Sequence, residues 1–82
     1  MFYIFYVPFP KLSEAIKRLL TFSGRYLKEV TVSLVAECSD ANVTLFMVKF
    51  LPESGTMKQL ALGELENMMH DGVIDTFCES DR

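Results

Sequence analysis

The sequence predicts an α+β sandwich, one sheet with two helices, and three observations carry that reading. Phe2–Val7 and Val43–Leu51 are apolar on both faces when read as strands, so each belongs inside a covered sheet rather than at its edge. Lys28–Cys38 alternates, with Val30, Val32, Leu34, Ala36 and Cys38 on one side and Glu29, Thr31, Ser33 and Glu37 on the other; Val35 is the exception. Two further stretches carry apolar residues at helical spacing. The order is β-α-β-β-α-β, in a single domain spanning residues 1–82.

The first strand is aromatic and β-branched and stops at Pro8 and Pro10, because proline cannot donate to a ladder. The segment KLSEAIKRLLTFSG follows. Leu12, Ile16, Leu19, Leu20 and Ser23 form a stripe that Ala15 and Phe22 widen, while Lys11, Glu14, Lys17, Arg18 and Thr21 lie opposite. Pro10 suits the first helical turn, and Gly24 suits the left-handed position just past the end.

Ser39–Asn42 supplies turn residues between the second and third strands, which pair as an antiparallel hairpin. Its register follows from one charge. Pairing even positions with even sends Phe46, Val48 and Phe50 to the core and Lys49 outward. The other register buries an unpaired ammonium, which is expensive. Even-with-even pairing implies a three-residue turn or a β-bulge.

Pro52–Gly55 is a loop. Thr56-Met57-Lys58-Gln59 matches a capping box, and Met57, Leu60, Ala61, Leu65 and Met68 form the buried face of the second helix. Gly63 weakens that helix or marks a close approach, and Gly72 closes it. Val73–Cys78 reads as the last strand and Glu79–Arg82 as a frayed charged tail.

This order has one common solution, the ferredoxin-like sandwich: an antiparallel sheet of order 4-1-3-2 with both helices on one face. Strands 1 and 3 are then central, where their apolar content independently places them. Without a last strand, the fallback is a three-stranded β-α-β-β-α sheet. The helix-free face would show Val35, Val43, Leu45, Met47 and Leu51, with Tyr3 and Phe5 from strand 1. These seven are the candidate partner-binding residues, and the apolar patch they form is large for a monomer.

Composition narrows the function classes. The chain has 82 residues, is 50% hydrophobic and carries a net charge of −3. Residues 1–51 hold six basic side chains against four acidic ones, and residues 52–82 hold two against seven. An acidic balance argues against nucleic acid as the main partner. Two cysteines, Cys38 and Cys78, fit free thiols in a reducing cytoplasm better than a disulfide framework, and opposite edge strands keep them apart. The short apolar start lacks a basic flank and is not a signal peptide, and no apolar run reaches membrane-helix length.

No constellation carries chemistry. His70 with Cys38 and Cys78 matches no metal-ligand spacing, so neither metal nor cofactor is expected. His70-Asp71 near Cys78 lacks an oxyanion-binding glycine loop and does not make a catalytic set. Arg18 and Arg25 suit a solvated helix flank better than a phosphate site. Aromatics on strands 1 and 3 are where RNA-recognition modules stack bases, but the strand-3 signature of those modules is absent.

The expectation is a non-catalytic, cytoplasmic protein-binding module. It would act as a regulator or inhibitor, of the compact kind that phage or mobile elements encode. It would be a homodimer or would cap a protein partner, through its open sheet face or its acidic surface. An RNA- or small-molecule-binding regulatory module on the same face is the alternative.

Overall fold

The computed structural model describes residues 1–23, 27–38 and 43–81. The elements are β1 (Phe2–Pro8), α1 (Phe9–Ser23), β2 (Leu27–Cys38), β3 (Val43–Pro52), α2 (Gly55–His70) and β4 (Phe77–Ser80). The strands form one antiparallel sheet of order β2-β3-β1-β4. This is the predicted 4-1-3-2 arrangement, so the ferredoxin-like topology holds and the three-stranded fallback does not apply. No helix of the described residues is long and apolar enough to cross a membrane.

The register is the one that keeps Lys49 out of the core. Val30 pairs with Phe50, Val32 with Val48 and Leu34 with Phe46, before a shift between Leu34 and Ala36 changes the parity. That shift is the expected bulge, and Val35 is its extra residue. Beyond it, Ala36 pairs with Leu45 and Cys38 with Val43. On the other side of β3, Tyr3 pairs with Phe50, Phe5 with Val48 and Val7 with Phe46.

The core lies between the sheet and the helices. It consists of Tyr3, Phe5 and Val7 from β1, Val48 and Phe50 from β3, Ala15 and Leu19 from α1, and Ala61, Leu65 and Met68 from α2. The rings of Tyr3 and Phe5 both pack against Phe50, at 5.8 and 6.4 Å between centroids. Burying side chains of this size stabilises the fold by about 1.5–3 kcal/mol each.

Three local expectations need correction. The cap of α2 is Ser54, whose Oγ accepts from the Met57 backbone N–H at 3.3 Å. The helix therefore starts before Thr56, and the Thr56 capping box does not form. The segment after α2 is not strand at once. Gly72 sits at φ +76°, Gly72 N donates to Met69 O at 3.1 Å, and Val73 N donates to Met68 O at 2.9 Å. This is a Schellman closure, with Gly72 in the expected C′ role. It folds Val73 and Ile74 back into the core, both under 5% exposed, and β4 begins only at Phe77. The chain predicted to fray thus supplies the strand, with Glu79 and Ser80 paired to Tyr3 and Phe2. The expected turn at Ser39–Asn42 and the role of Gly24 lie outside the described residues.

α1 and α2 are tied at one end. Arg18 Nε donates to Glu64 Oε1 at 2.9 Å and its Nη1 to Asp71 Oδ2 at 2.8 Å. Lys11 Nζ donates to the Gly72 carbonyl at 2.7 Å. Both donors lie on the flank of α1 that faces α2, so the opposite flank, carrying Phe9, Ile16 and Leu20, faces away from α2.

Candidate functional site

With both helices on one face, the sheet's other face is free of helical cover among the described residues. The registers place Phe2, Ile4 and Tyr6 of β1 there, beside Leu45, Met47 and Leu51 of β3. The β2 row on this face, Glu29, Thr31 and Ser33, is polar. The apolar patch is therefore a band mostly two strands wide, bordered by these polar side chains, interrupted at Lys49 and extended onto β2 past the bulge, where Ala36 lies opposite Leu45. Most of it is half-buried by mutual packing, and Tyr6 stands out as exposed.

Of the seven residues singled out from sequence, Leu45, Met47 and Leu51 lie half-buried on this face, and Val43 lies exposed at its far end. Val35 is exposed at the bulge, off the regular row. Tyr3 and Phe5 do not belong to the face. They are 1% and 0% exposed beneath the helices, and Ile4 and Tyr6 take their place. The reason is register: the β3 row that excludes Lys49 from the core draws the odd row of β1 inward with it. Both rows of β1 hold two apolar residues and a tyrosine, so the strand alone carried no signal for this choice.

Lys49 lies on the helix-free face, its Nζ 4.3 Å from the centre of the Phe2 ring. A cation over an aromatic face stabilises by about 0.5–1 kcal/mol where solvent reaches it.

The Tyr3 hydroxyl is buried with no partner at good hydrogen-bond geometry, and Lys58 and Glu79 lie beside it. Burial raises its pKa above the ordinary value; Glu79, opposite it on β4, adds to the rise, and Lys58 opposes it. A cleft of about 360 Å³ opens beside this residue at the start of α2, lined by Lys28, Ser54 and Lys58 among others. Its lysines and the helix N-terminus favour anions, and the phenol oxygen is closed off from solvent. A second, shallow cleft of about 450 Å³ lies along α1 and α2 at Glu14, Lys17, Arg18, Thr21 and Glu64. Its Arg18 is engaged with Glu64 and Asp71, and those bonds hold its pKa above the ordinary value against partial burial. Arg18 thus acts as a clamp between helices, and Arg25 lies outside the described residues.

Among the described residues no group of three or more His, Cys, Asp or Glu side chains is placed to hold a metal. Cys78 is a free thiol on β4, and Cys38 belongs to β2. These are opposite edges of the sheet, about 14 Å apart at the usual strand spacing, too far for a disulfide.

Sequence reasoning missed one exposed region. Val30, Val32 and Leu34 of β2 share the helix-side face with Phe50, Val48 and Phe46, yet they are 38–54% exposed. Phe9 and Leu20 of α1 are also exposed, and the Phe9 ring lies 6.2 Å from that of Phe46. The signal was present in the width of the α1 stripe, where Leu20 extends beyond what one packed face needs. No family model matches the chain, and neither a curated protein nor a solved structure matches it significantly.

Proposed function

We propose that the protein is a small non-catalytic protein-binding module, a regulator that acts by occupying an apolar surface of its partner with the helix-free face of its sheet. The observation behind this reading is the band of Ile4, Tyr6, Leu45 and Met47 on a face that no described helix covers. Apolar area buried there contributes a gross term of about 25 cal/mol per Å², from which the entropy cost of association is subtracted. The polar β2 residues Glu29, Thr31 and Ser33 border the band on one side, as polar rims border protein interfaces, and Lys49 interrupts it between Met47 and Leu51.

The test is Leu45→Glu, compared with Lys17→Glu on the exposed side of α1. Leu45→Glu should keep the wild-type circular dichroism spectrum and lose the proteins that immobilised wild type retains from its native host. Lys17→Glu should retain them. Unfolding of Leu45→Glu would mean that this side chain belongs to the core. Retention of the same proteins by Leu45→Glu would exclude the face as the docking site. RNA in the retained material, lost with Leu45→Glu, would favour base stacking on Phe2 and Tyr6 instead.

A further inference from the structure

We infer that β2 is a self-association edge, and that two copies of this chain join through antiparallel β2–β2 pairing into one eight-stranded sheet. The inference is independent of the helix-free face. It starts from an asymmetry between the two edges: β4 is four residues long, whereas β2 is twelve and pairs with no described strand on its outer side. Natural sheets blunt long edges with inward-pointing charges, prolines or bulges. β2 has register shifts near Lys28 and at Val35, which bracket a regular run from Glu29 to Leu34, and the run from Val30 to Leu34 holds neither a charge nor a proline.

The surface beside this edge is apolar and wet. Val30, Val32, Leu34 and Val35 of β2, with Phe9 and Leu20 of α1, are 38–62% exposed. Together these six residues expose roughly 500 Å², backbone included, within the range of the largest apolar patch of a monomer. The exposed polar residues of the same edge, Glu29, Thr31 and Glu37, extend this toward the roughly 800 Å² per partner of a stable interface.

The chain's own features select the occupant and its direction. In an antiparallel pair centred on Val32, that residue faces its own copy and Val30 faces Leu34, so the apolar row continues across the joint. Lys28 lies at one end of the exposed strand and Glu37 at the other. The antiparallel arrangement brings each lysine toward the partner's glutamate, whereas a parallel one would set like charges together. Phe9 lies toward the Leu34 end and Leu20 toward the Val30 end, so each reaches toward the other copy's complementary end. The two helix-free faces come out on the same side of the joined sheet.

Sedimentation or light scattering over a range of concentrations tests this. Wild type should dimerise. Val32→Lys should stay folded and weaken dimerisation about tenfold or more, the factor that about 1.4 kcal/mol produces. Lys28→Glu should weaken it also, and adding Glu37→Lys should restore it. The charge pair is exposed in the monomer, so it reads the geometry even if Val32→Lys fails to fold. A concentration-independent monomer overturns the proposal. So does a dimer that Leu45→Glu dissociates while Val32→Lys and the charge reversals leave it intact. Capture of a partner by the Val32→Lys monomer reports on the helix-free face separately, so failure of either proposal leaves the other readable.

Discussion

Single side chains decide which face is which. Lys49 was enough to set the β2–β3 register from sequence, because an ammonium without a partner excludes one of two pairings. No equivalent residue existed on β1, and Tyr3 and Phe5 went inward where the outward side was expected. The cost of that choice is a buried phenol oxygen with no well-formed hydrogen bond, between Lys58 and Glu79. Tyr3→Phe should therefore leave stability unchanged or raise it by up to about 1 kcal/mol, since deleting an unsatisfied polar atom removes its desolvation cost. The same residue makes the fold sensitive to alkali. Its folded pKa is raised, mainly by burial. Its contribution is complete below the unfolded value of about 10, and it falls as pH climbs from there toward the folded value, because the unfolded chain releases the proton first. Denaturant melts across that window should show wild type losing more stability than Tyr3→Phe. Equal losses would mean that Tyr3 ionises as freely in the folded state as in the unfolded one.

The helices and strands themselves were legible where periodicity ran long, and their ends were not. The stripe of α2 correctly named Ala61, Leu65 and Met68 but also Leu60, which is exposed at the edge of the buried face, and the capping pattern at Thr56 lost to Ser54, whose hydroxyl was placed to take the Met57 N–H. Val73-Ile74 looked like strand because two consecutive buried residues fit either a ladder or a plug. The Schellman closure at Gly72 turns them under the helix before a ladder can start. Gly63 within α2 and Gly72 just past its end should respond oppositely to alanine. Gly63 lies mid-helix with open space around it, which excludes the close approach considered from sequence. Gly63→Ala should stabilise by about 0.5–1 kcal/mol through helix propensity and a less free unfolded chain. Gly72 has φ +76°, where a Cβ meets its own backbone, and Gly72→Ala should destabilise by about 1–2 kcal/mol. Thermal melts of the two variants should move in opposite directions. A loss in Gly63→Ala would mean that the helix approaches another group there in solution.

At the scale of the molecule, topology could be read from two strands that are apolar on both faces, because only central strands tolerate that pattern. How far the helical layer reaches could not. Two helices about 10 Å across are wide enough for four strands. The positions they adopt, however, depend on contacts between residues far apart in sequence, such as Arg18 with Glu64 and Asp71 and Lys11 with the Gly72 carbonyl. These draw α1 toward α2, over β1 and β3, and leave Val30, Val32 and Leu34 of β2 exposed. The core should therefore grade in strength along a single strand. Phe50 is fully buried under the helices and touches Tyr3 and Phe5, so Phe50→Ala should cost about 3–5 kcal/mol. Phe46 points to the same side but is only half-buried, with the exposed Phe9 for cover. Phe46→Ala should cost clearly less than Phe50→Ala, although the alternation along β3 makes the two look equivalent. Met47, on the helix-free face, should cost least. Urea melts at low protein concentration, where the monomer is the species measured, order the three. Equal losses at Phe50 and Phe46 would place the helical layer over β2 as well, and the uncovered edge that supports self-association would then be closed.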